Sequence, residues 1–236
     1  MTNGQNRSIN PRVLQSIARK LLREHRAEKI EKIVGNRGIE ILCHFTRVEN
    51  LSSILKWGLL GRSRLVEQRI PFERIDHSRQ DGCPEAVCLT ISFPNYRLFY
   101  SKRGIFYGSH GIDDNQWVVL LFEAKLLWEL DCAFCKYNAA HGSVRGLSLD
   151  SRREPESLAS MFGDFPTHER PRNFPSHYPT SPQAEVLVFD PVPISYLREI
   201  HFFDDDAYEE WSSSDYSDND VDIYVGNYYF DKRRIK

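Results

Sequence analysis

The stretch Ser181-Pro-Gln-Ala-Glu-Val-Leu-Val-Phe189 places one carboxylate at the mouth of an otherwise apolar strand. Val186 to Phe189 is a short run of β-branched and aromatic residues closed by Asp190-Pro191, a pattern typical of a buried strand. Burying an unpaired charge is costly, so Glu185 must be paired, hydrated or used in chemistry. Two interpretations follow: a strand-end salt bridge to an arginine, or a functional acid.

A second strand is predicted from Ile39 to Thr46, and alternation puts His44 and Thr46 on the same face. About 7 Å, or two strand rises, separates them, which suits two hydrogen-bonding groups that grip one flat ligand. The alternative is a satisfied core histidine beside a surface threonine. Asn50 follows as the predicted N-cap of a short helix ending at Gly58, and free N–H groups at a helix start favour anions.

The hydrophobic pattern predicts further elements on both sides of these strands. Pro11 to Val34 has the spacing of a long amphipathic helix, or of two helices joined near His25-Arg26, that stops at Gly35-Asn36. The charged stretch Gly61 to Asp81 is predicted to be irregular, either a substrate loop or merely a solvated one, and Asp204 to Asp222 is predicted to be a solvated excursion. More strands are predicted at Ala86 to Ile91, Trp117 to Ala124, Glu199 to Phe203 and Ile223 to Phe230.

Composition limits the class of protein. The chain of 236 residues suits one large domain or one domain with appendages, and its formal net charge of −2 gives no global basic field to attract nucleic acid. Five cysteines, an odd number, do not form a typical secreted disulfide framework. We find no signal peptide and no run long enough to cross a membrane. A reducing cytoplasm is therefore the predicted compartment.

Several common catalytic motifs are absent from the sequence. No P-loop, G-x-G-x-x-G, H-E-x-x-H or G-x-S-x-G pattern is present. Cys132-Ala-Phe-Cys135 is a lone C-x-x-C with His141 nearby, so a zinc site lacks a second ligand pair and buried free thiols are favoured. A long segment rich in proline, arginine and aromatic residues, Arg152 to Pro182, leads to Glu185, and loops of this length are usually functional or disordered.

Together these blocks resemble the DarT family of nucleic-acid ADP-ribosyltransferase toxins. Residues in the same order as in that family are His44-Phe-Thr46, Asn50-Leu51, Ile54, Gly58-Leu-Leu60, Arg79, Ser92-Phe-Pro-Asn95, Leu98-Phe-Tyr100, Phe134, Asn138-Ala-Ala140 and Ala184-Glu-Val-Leu-Val188. The resemblance covers roughly Ile39 to Phe203. It implies an α+β fold, with a split mixed β-sheet around an NAD+ cleft. On this basis, residues 39–236 are the ADP-ribosyltransferase domain and residues 1–38 an added N-terminal helical extension of the same compact unit.

The resemblance also implies roles for individual residues. Glu185 and Arg79 are the expected catalytic residues, with NAD+ as co-substrate and no metal. The residues expected to bind NAD+ are His44, Thr46 and Asn50. Those expected to contact nucleic acid are Arg170, Arg172, Phe174, Tyr178 and Asn138.

The implied function is ADP-ribosylation of a base in single-stranded DNA by the toxin of a cytoplasmic toxin–antitoxin pair. The expected partner is an antitoxin, macrodomain-type or similar, that removes ADP-ribose. Residues 92–95 differ from the Pro-Phe-Tyr-Phe of the thymidine-modifying branch, which leaves guanine, thymine and RNA open as acceptors. Two alternatives from other classes are a non-catalytic nucleic-acid-binding protein that uses the basic N-terminal helix, and a zinc enzyme that uses Cys132, Cys135 and His141.

Overall fold

The computed structural model describes residues 10–75, 80–102, 113, 116–166, 169–212 and 221–233. Its helices are α1 Pro11–Arg37, α2 Leu51–Trp57, α3 Arg62–Glu67, α4 Tyr96–Lys102, α5 Leu126–Glu129, α6 Gly142–Arg145, α7 Leu149–Arg152, α8 Pro155–Ser160 and α9 Asp205–Ser212. Its strands are β1 Ile41–Arg47, β2 Val87–Ile91, β3 Trp117–Glu123, β4 Cys132–Cys135, β5 Glu185–Val188, β6 Leu197–Phe202 and β7 Asp222–Val225. None of the described helices has the length and apolar character that a bilayer crossing needs.

The strands form one mixed sheet in the order β4-β5-β2-β1-β3-β6-β7. Neighbouring strands are antiparallel except for the parallel pair β6 and β7. β3 lies between β1 and β6 and is buried from Trp117 to Phe122, which fits its apolar residues on both faces. The predicted α+β fold is confirmed.

The sheet is split between β1 and β2. β1 pairs with β3 at every position from Ile41 to Arg47. Within the described strands, its pairing with β2 is confined to Leu42 opposite Ile91 and Cys43 opposite Thr90. The two strands therefore part at His44, and the backbone groups beyond that point border a gap instead of forming a ladder.

The second half of α1 is part of the main core. Ile30 and Val34 are buried in the same cluster as the sheet, and Arg26 forms an ion pair with Glu154 at 2.7 Å. The first half carries exposed apolar residues, namely Val13, Leu14, Ile17, Leu21 and Leu22. The added helix therefore packs on the domain through its C-terminal half.

Several elements differ from the sequence predictions. α1 continues past Gly35 and Asn36 to Arg37, because the left-handed residue that ends it is Gly38, with φ of 64°. The stretch predicted as irregular after Gly61 contains α3.

The acidic stretch after residue 204 contains α9, which buries Ala207 and Trp211. The last predicted strand is shorter, because β7 ends at Val225 and a 3-10 turn, Tyr228–Phe230, follows it. In α9, two buried side chains hold a regular element within a polar sequence.

Candidate functional site

A cavity of about 390 Å³ opens where β1 and β2 part. Its wall includes His44 and Thr46 from β1, Cys88 from β2 and Glu185 from the start of β5. Residues that are far apart in the sequence therefore share one crevice. The alternation predicted for β1 is confirmed as well, since Leu42 packs in the main core while Cys43 and Phe45 pack with the cluster around Trp117.

The Glu185 carboxylate is only 6% exposed and is held by the turn that follows β4. Asn138 Nδ2 donates to Oε1 at 2.9 Å, and the Ala139 N–H donates to Oε2 at 2.7 Å. Amide donors thus contact both oxygens, and such charge-assisted hydrogen bonds are the stronger kind. The burial of this acid at the wall of a cavity is the arrangement expected of a functional carboxylate.

The His44 ring bridges the split in the sheet. Its Nδ1 lies 3.0 Å from the Cys88 carbonyl oxygen, and because a carbonyl can only accept, Nδ1 carries the proton. Burial lowers the pKa of His44, and the hydrogen bond to Cys88 opposes this only in part. The ring is therefore neutral at pH 7, and its Nε2 is a hydrogen-bond acceptor.

Asn50 holds a neighbouring segment against the cavity. Its Nδ2 donates to Thr46 Oγ1 and to the Glu73 carbonyl, each at 2.9 Å, and its Oδ1 accepts from the Glu73 N–H at 2.7 Å. Asn50 lies at the predicted N-cap position of α2, but it is already in a 3-10 turn and makes no side-chain cap bond. Instead it fixes residues 72–75, and all four of these line the cavity.

The arginine assignment stays open. Arg79 lies outside the described residues. Arg74, five positions earlier in the sequence, lines the cavity and places its guanidinium carbon 5.2 Å from the centre of the Phe72 ring. The catalytic role expected of Arg79 remains a prediction.

The segment before Glu185 packs more tightly than expected for a nucleic-acid loop. Arg170 donates to the carbonyls of Tyr178 and Pro175, each at 2.8 Å, and lies over the Phe174 ring at 4.8 Å. The rings of Phe174 and Tyr178 are buried with Phe93. This differs from the expectation of open stacking surfaces, since the aromatic residues form a small core that Arg170 braces.

Other residues expected to contact nucleic acid are placed differently. Arg172 is exposed, and Asn138 lines the cavity beside Glu185. The nucleic-acid contacts of all five residues stay predictions.

The thiols do not converge on a metal site. Cys132 and Cys135 belong to clusters on opposite faces of β4, because strand residues three apart point in opposite directions. Burial raises the pKa of Cys135 to about 12 and that of Cys132 further. Within the described part of the chain, no group of three or more His, Cys, Asp or Glu residues could hold a metal ion. The zinc hypothesis loses its geometric basis.

Asn95 belongs to a block that resembles the family, but no role in the site was predicted for it from the sequence. Asn95 is buried on the cavity wall, although Pro94-Asn95 has the composition of an ordinary turn. The available signal was an amide residue between apolar neighbours, Phe93 and Leu98.

Comparisons with known proteins identify the family of the chain. A family model described as "ssDNA thymidine ADP-ribosyltransferase, DarT" matches residues 43–230. No curated protein matches the chain.

Among solved structures, the chain is similar to Thermus sp. 2.9 DarT in complex with NAD+, with 16% identity, a TM-score of 0.53 and coverage of 81% of this chain and 97% of that chain. The complex of the same protein with ADP-ribosylated ssDNA gives 15% identity, a TM-score of 0.54 and coverage of 81% and 96%. Thermosipho africanus DarTG in complex with ADP-ribose gives 14% identity, a TM-score of 0.56, and coverage of 80% of this chain and 50% of that chain. This chain therefore spans half of the DarTG chain, and at these identities the likeness shows the fold.

Proposed function

This chain belongs to the DarT family, and from that premise we propose that it transfers ADP-ribose from NAD+ to a nucleobase in single-stranded DNA. The observation that carries the proposal is the shared cavity, in which the Glu185 carboxylate and the neutral His44 ring lie on the wall of one crevice. The family description names single-stranded DNA as substrate, and solved structures of Thermus DarT hold NAD+ and ADP-ribosylated ssDNA.

In the proposed reaction, the bond between the ribose C1 and the nicotinamide nitrogen breaks, and nicotinamide leaves with the electron pair. Positive charge develops on the ribose, as in glycoside hydrolysis, and the fixed carboxylate of Glu185 stabilises it. A nucleophilic atom of the base then bonds to C1 and loses its proton to Glu185. A base must leave its stack to reach this carbon, which favours single-stranded substrate.

The binding roles follow the cavity wall. His44 and Thr46 are proposed to hold the nicotinamide side of NAD+, with His44 Nε2 as an acceptor. Asn50 acts through the segment that it fixes, residues 72–75. We keep Arg79 as the proposed catalytic arginine and Arg172, which is exposed, as a phosphate contact.

Mass spectrometry of DNA and RNA oligonucleotides after incubation with NAD+ tests the proposal. We expect single-stranded DNA to gain one ADP-ribose and nicotinamide to be released. Glu185→Gln removes the charge but keeps the shape, and it should abolish the added mass. Glu156→Gln, the same change at an exposed position of α8, is the matched control. Added mass on RNA alone would favour the RNA-modifying alternative, and no nicotinamide release would favour a non-catalytic binding protein.

A toxin–antitoxin role extends the proposal. One similar structure carries the name DarTG and is about twice as long as the matched region. We propose a partner antitoxin, macrodomain-type or similar, that removes the ADP-ribose. Expression of the chain should stop growth, while expression of Glu185→Gln should not. Growth arrest by both proteins would contradict a toxicity that depends on the reaction.

A further inference from the structure

Asn95 lines the cavity, and its side-chain Nδ2 has no hydrogen-bond partner among the described residues. Among the described residues, buried side-chain nitrogen atoms of Arg26, Asn95, Trp117 and Arg152 lack a hydrogen-bond partner. Of these residues, Asn95 is the one that lines the cavity, and it is 1% exposed. A buried donor without a partner is costly, so this N–H group marks a place where a ligand atom fits.

The orientation of this amide is fixed by the start of α4. The Leu98 N–H donates to Asn95 Oδ1 at 3.2 Å, and because a backbone N–H can only donate, the accepting atom is the oxygen. The Phe99 N–H donates to the Asn95 carbonyl at 3.1 Å. Asn95 is therefore the N-cap of α4, and the atom left over is the NH₂ group. Aspartate or serine would serve equally well as a cap, but among these residues asparagine alone adds a side-chain N–H donor.

The register of the sheet places Asn95 near the reacting end of the cavity. β2 and β5 pair Val87 with Val188 and Leu89 with Val186, so the next position in register brings Thr90 opposite Glu185. Asn95 is five residues after Thr90, at the end of the turn that joins β2 to α4.

The same turn touches the segment before Glu185. Ser92 Oγ donates to the His177 carbonyl at 3.2 Å, and Phe93 meets the edge of Tyr178 with ring centres 6.3 Å apart. The chain from Thr90 to Asn95 thus runs from the strand position beside Glu185 to a turn that contacts the segment proposed to present the acceptor.

On the basis of the proposed function, we propose that Asn95 is a specificity-determining residue that donates a hydrogen bond to an exocyclic carbonyl of the acceptor base. Thymine has such an oxygen at position 4 and guanine at position 6. Cytosine and adenine carry an amino group there, which would set donor against donor. Sites built to hydrogen-bond a substrate reject analogues that leave the site group unpaired. A contact with the carbonyl at position 4 of thymine or position 6 of guanine would thus reject cytosine and adenine.

The test uses single-stranded oligonucleotides in which one acceptor base is varied. With the wild-type protein, we expect ADP-ribose on thymine or guanine and none on adenine or cytosine. Asn95→Asp keeps the cap of α4 and replaces the N–H donor with an acceptor, while Asn95→Ser keeps the cap and removes the amide N–H. Both should lower kcat/KM for the oligonucleotide by about 10²-fold and leave the KM for NAD+ within about twofold.

A base analogue identifies the contacted atom. The kcat/KM of the wild-type protein should fall on 4-thiothymine or 6-thioguanine, in which sulfur, a weak acceptor, replaces the thymine O4 or the guanine O6 and the ring N–H is kept, about as far as that of Asn95→Ser falls on the natural base. The kcat/KM of Asn95→Ser should not fall further when the analogue replaces the natural base. Ser101→Ala, at an exposed position on the same helix, is the control.

Three results would overturn the assignment of Asn95. Modification of adenine or cytosine would show that the acceptor base does not need a carbonyl at position 4 or 6. A tenfold rise in the KM for NAD+ in both variants would move the donor to the dinucleotide. Unchanged oligonucleotide kcat/KM in folded variants would leave Asn95 as a cap alone. Failure of the proposed function has a separate signature, since no oligonucleotide would then gain mass with wild-type protein.

Discussion

Asn138 Nδ2 donates to Glu185 Oε1 at 2.9 Å, while the Asn138 oxygen accepts from the Ala140 N–H at 2.9 Å. The second bond decides the first, because it turns the amide so that its donor end faces the carboxylate. The turn after β4 therefore sets the direction of the acid. Asn138 is a positioning residue whose contribution is measurable.

Replacing Asn138 with alanine should lower kcat by roughly 10- to 100-fold, since a hydrogen bond to a charged group contributes about 1.5–3 kcal/mol. The KM for NAD+ should change little, because the change affects the aim of the carboxylate. Steady-state kinetics separates the two constants. An Asn138→Ala protein whose KM rises at constant kcat would show that Asn138 serves binding instead.

Asn50→Asp should weaken NAD+ binding about tenfold. The aspartate keeps an acceptor for the Glu73 N–H but loses both Nδ2 bonds, so the segment of residues 72–75 loosens. Isothermal titration with NAD+ measures the effect. Asn36→Asp, the same change at an exposed site in α1, should bind as wild type does. Equal affinity in the two variants would refute the role given to Asn50.

Activity should fall on the acid side of pH 6.5, the ordinary pKa of histidine. The pKa of His44 is lowered by burial, so the ring stays neutral at pH 7 and gains charge only below that ordinary value. The unfolded chain then binds more protons than the folded one, so stability is also lost as pH falls through this window. Profiles of kcat/KM and of urea unfolding from pH 5 to 8 test both effects. His44→Gln should lack this contribution to either profile.

Two substitutions in α1 should differ sharply in their cost to stability. Ile30 is 4% exposed within the main core, and Leu22 is 66% exposed. We expect Ile30→Ala to lower the free energy of unfolding by about 2–5 kcal/mol and Leu22→Ala by less than about 0.5 kcal/mol. Denaturant unfolding measures both. Equal costs would mean that the two halves of α1 pack alike.

NAD+ should protect Cys88 from alkylation. Cys88 is half-buried on the cavity wall, whereas Cys43, Cys83, Cys132 and Cys135 are buried. In the folded protein, iodoacetamide should therefore label Cys88 first, and peptide mass spectrometry should show slower labelling with NAD+ present. If saturating NAD+ left the Cys88 rate unchanged, the ligand would not occupy this crevice.

The sequence predicted what depends on local periodicity. Alternation along β1 was enough to set His44 and Thr46 on one face, and the strand pattern at Val186 was enough to place Glu185 at its mouth. The hydrogen bond between Asn50 and the Glu73 backbone could not be predicted, because Glu73 is 23 residues away in a stretch without periodicity. The donor of Asn95 was missed because an asparagine that only caps a helix and one that also binds a ligand look the same in the sequence.

Burial in irregular segments was the least predictable feature. Proline-rich loops usually lie on the surface, so Phe174 and Tyr178 were expected to be open to bases. Arg170 instead satisfies several carbonyls of that loop and lets its rings pack inward. α9 was hidden for a related reason, since Ala207 and Trp211 alone form its buried contact within an acidic composition.

The parting of β1 from β2 interrupts the sheet at its centre, and within the described strands two residue pairs join its halves there. A molecule bound across this gap contacts both halves of the sheet and so adds interactions between them that the chain itself lacks. Occupancy therefore adds to the cohesion of the whole domain by mass action. The melting temperature should rise with co-substrate concentration, and the protein should be most vulnerable to heat and proteolysis in the interval between product departure and the next arrival.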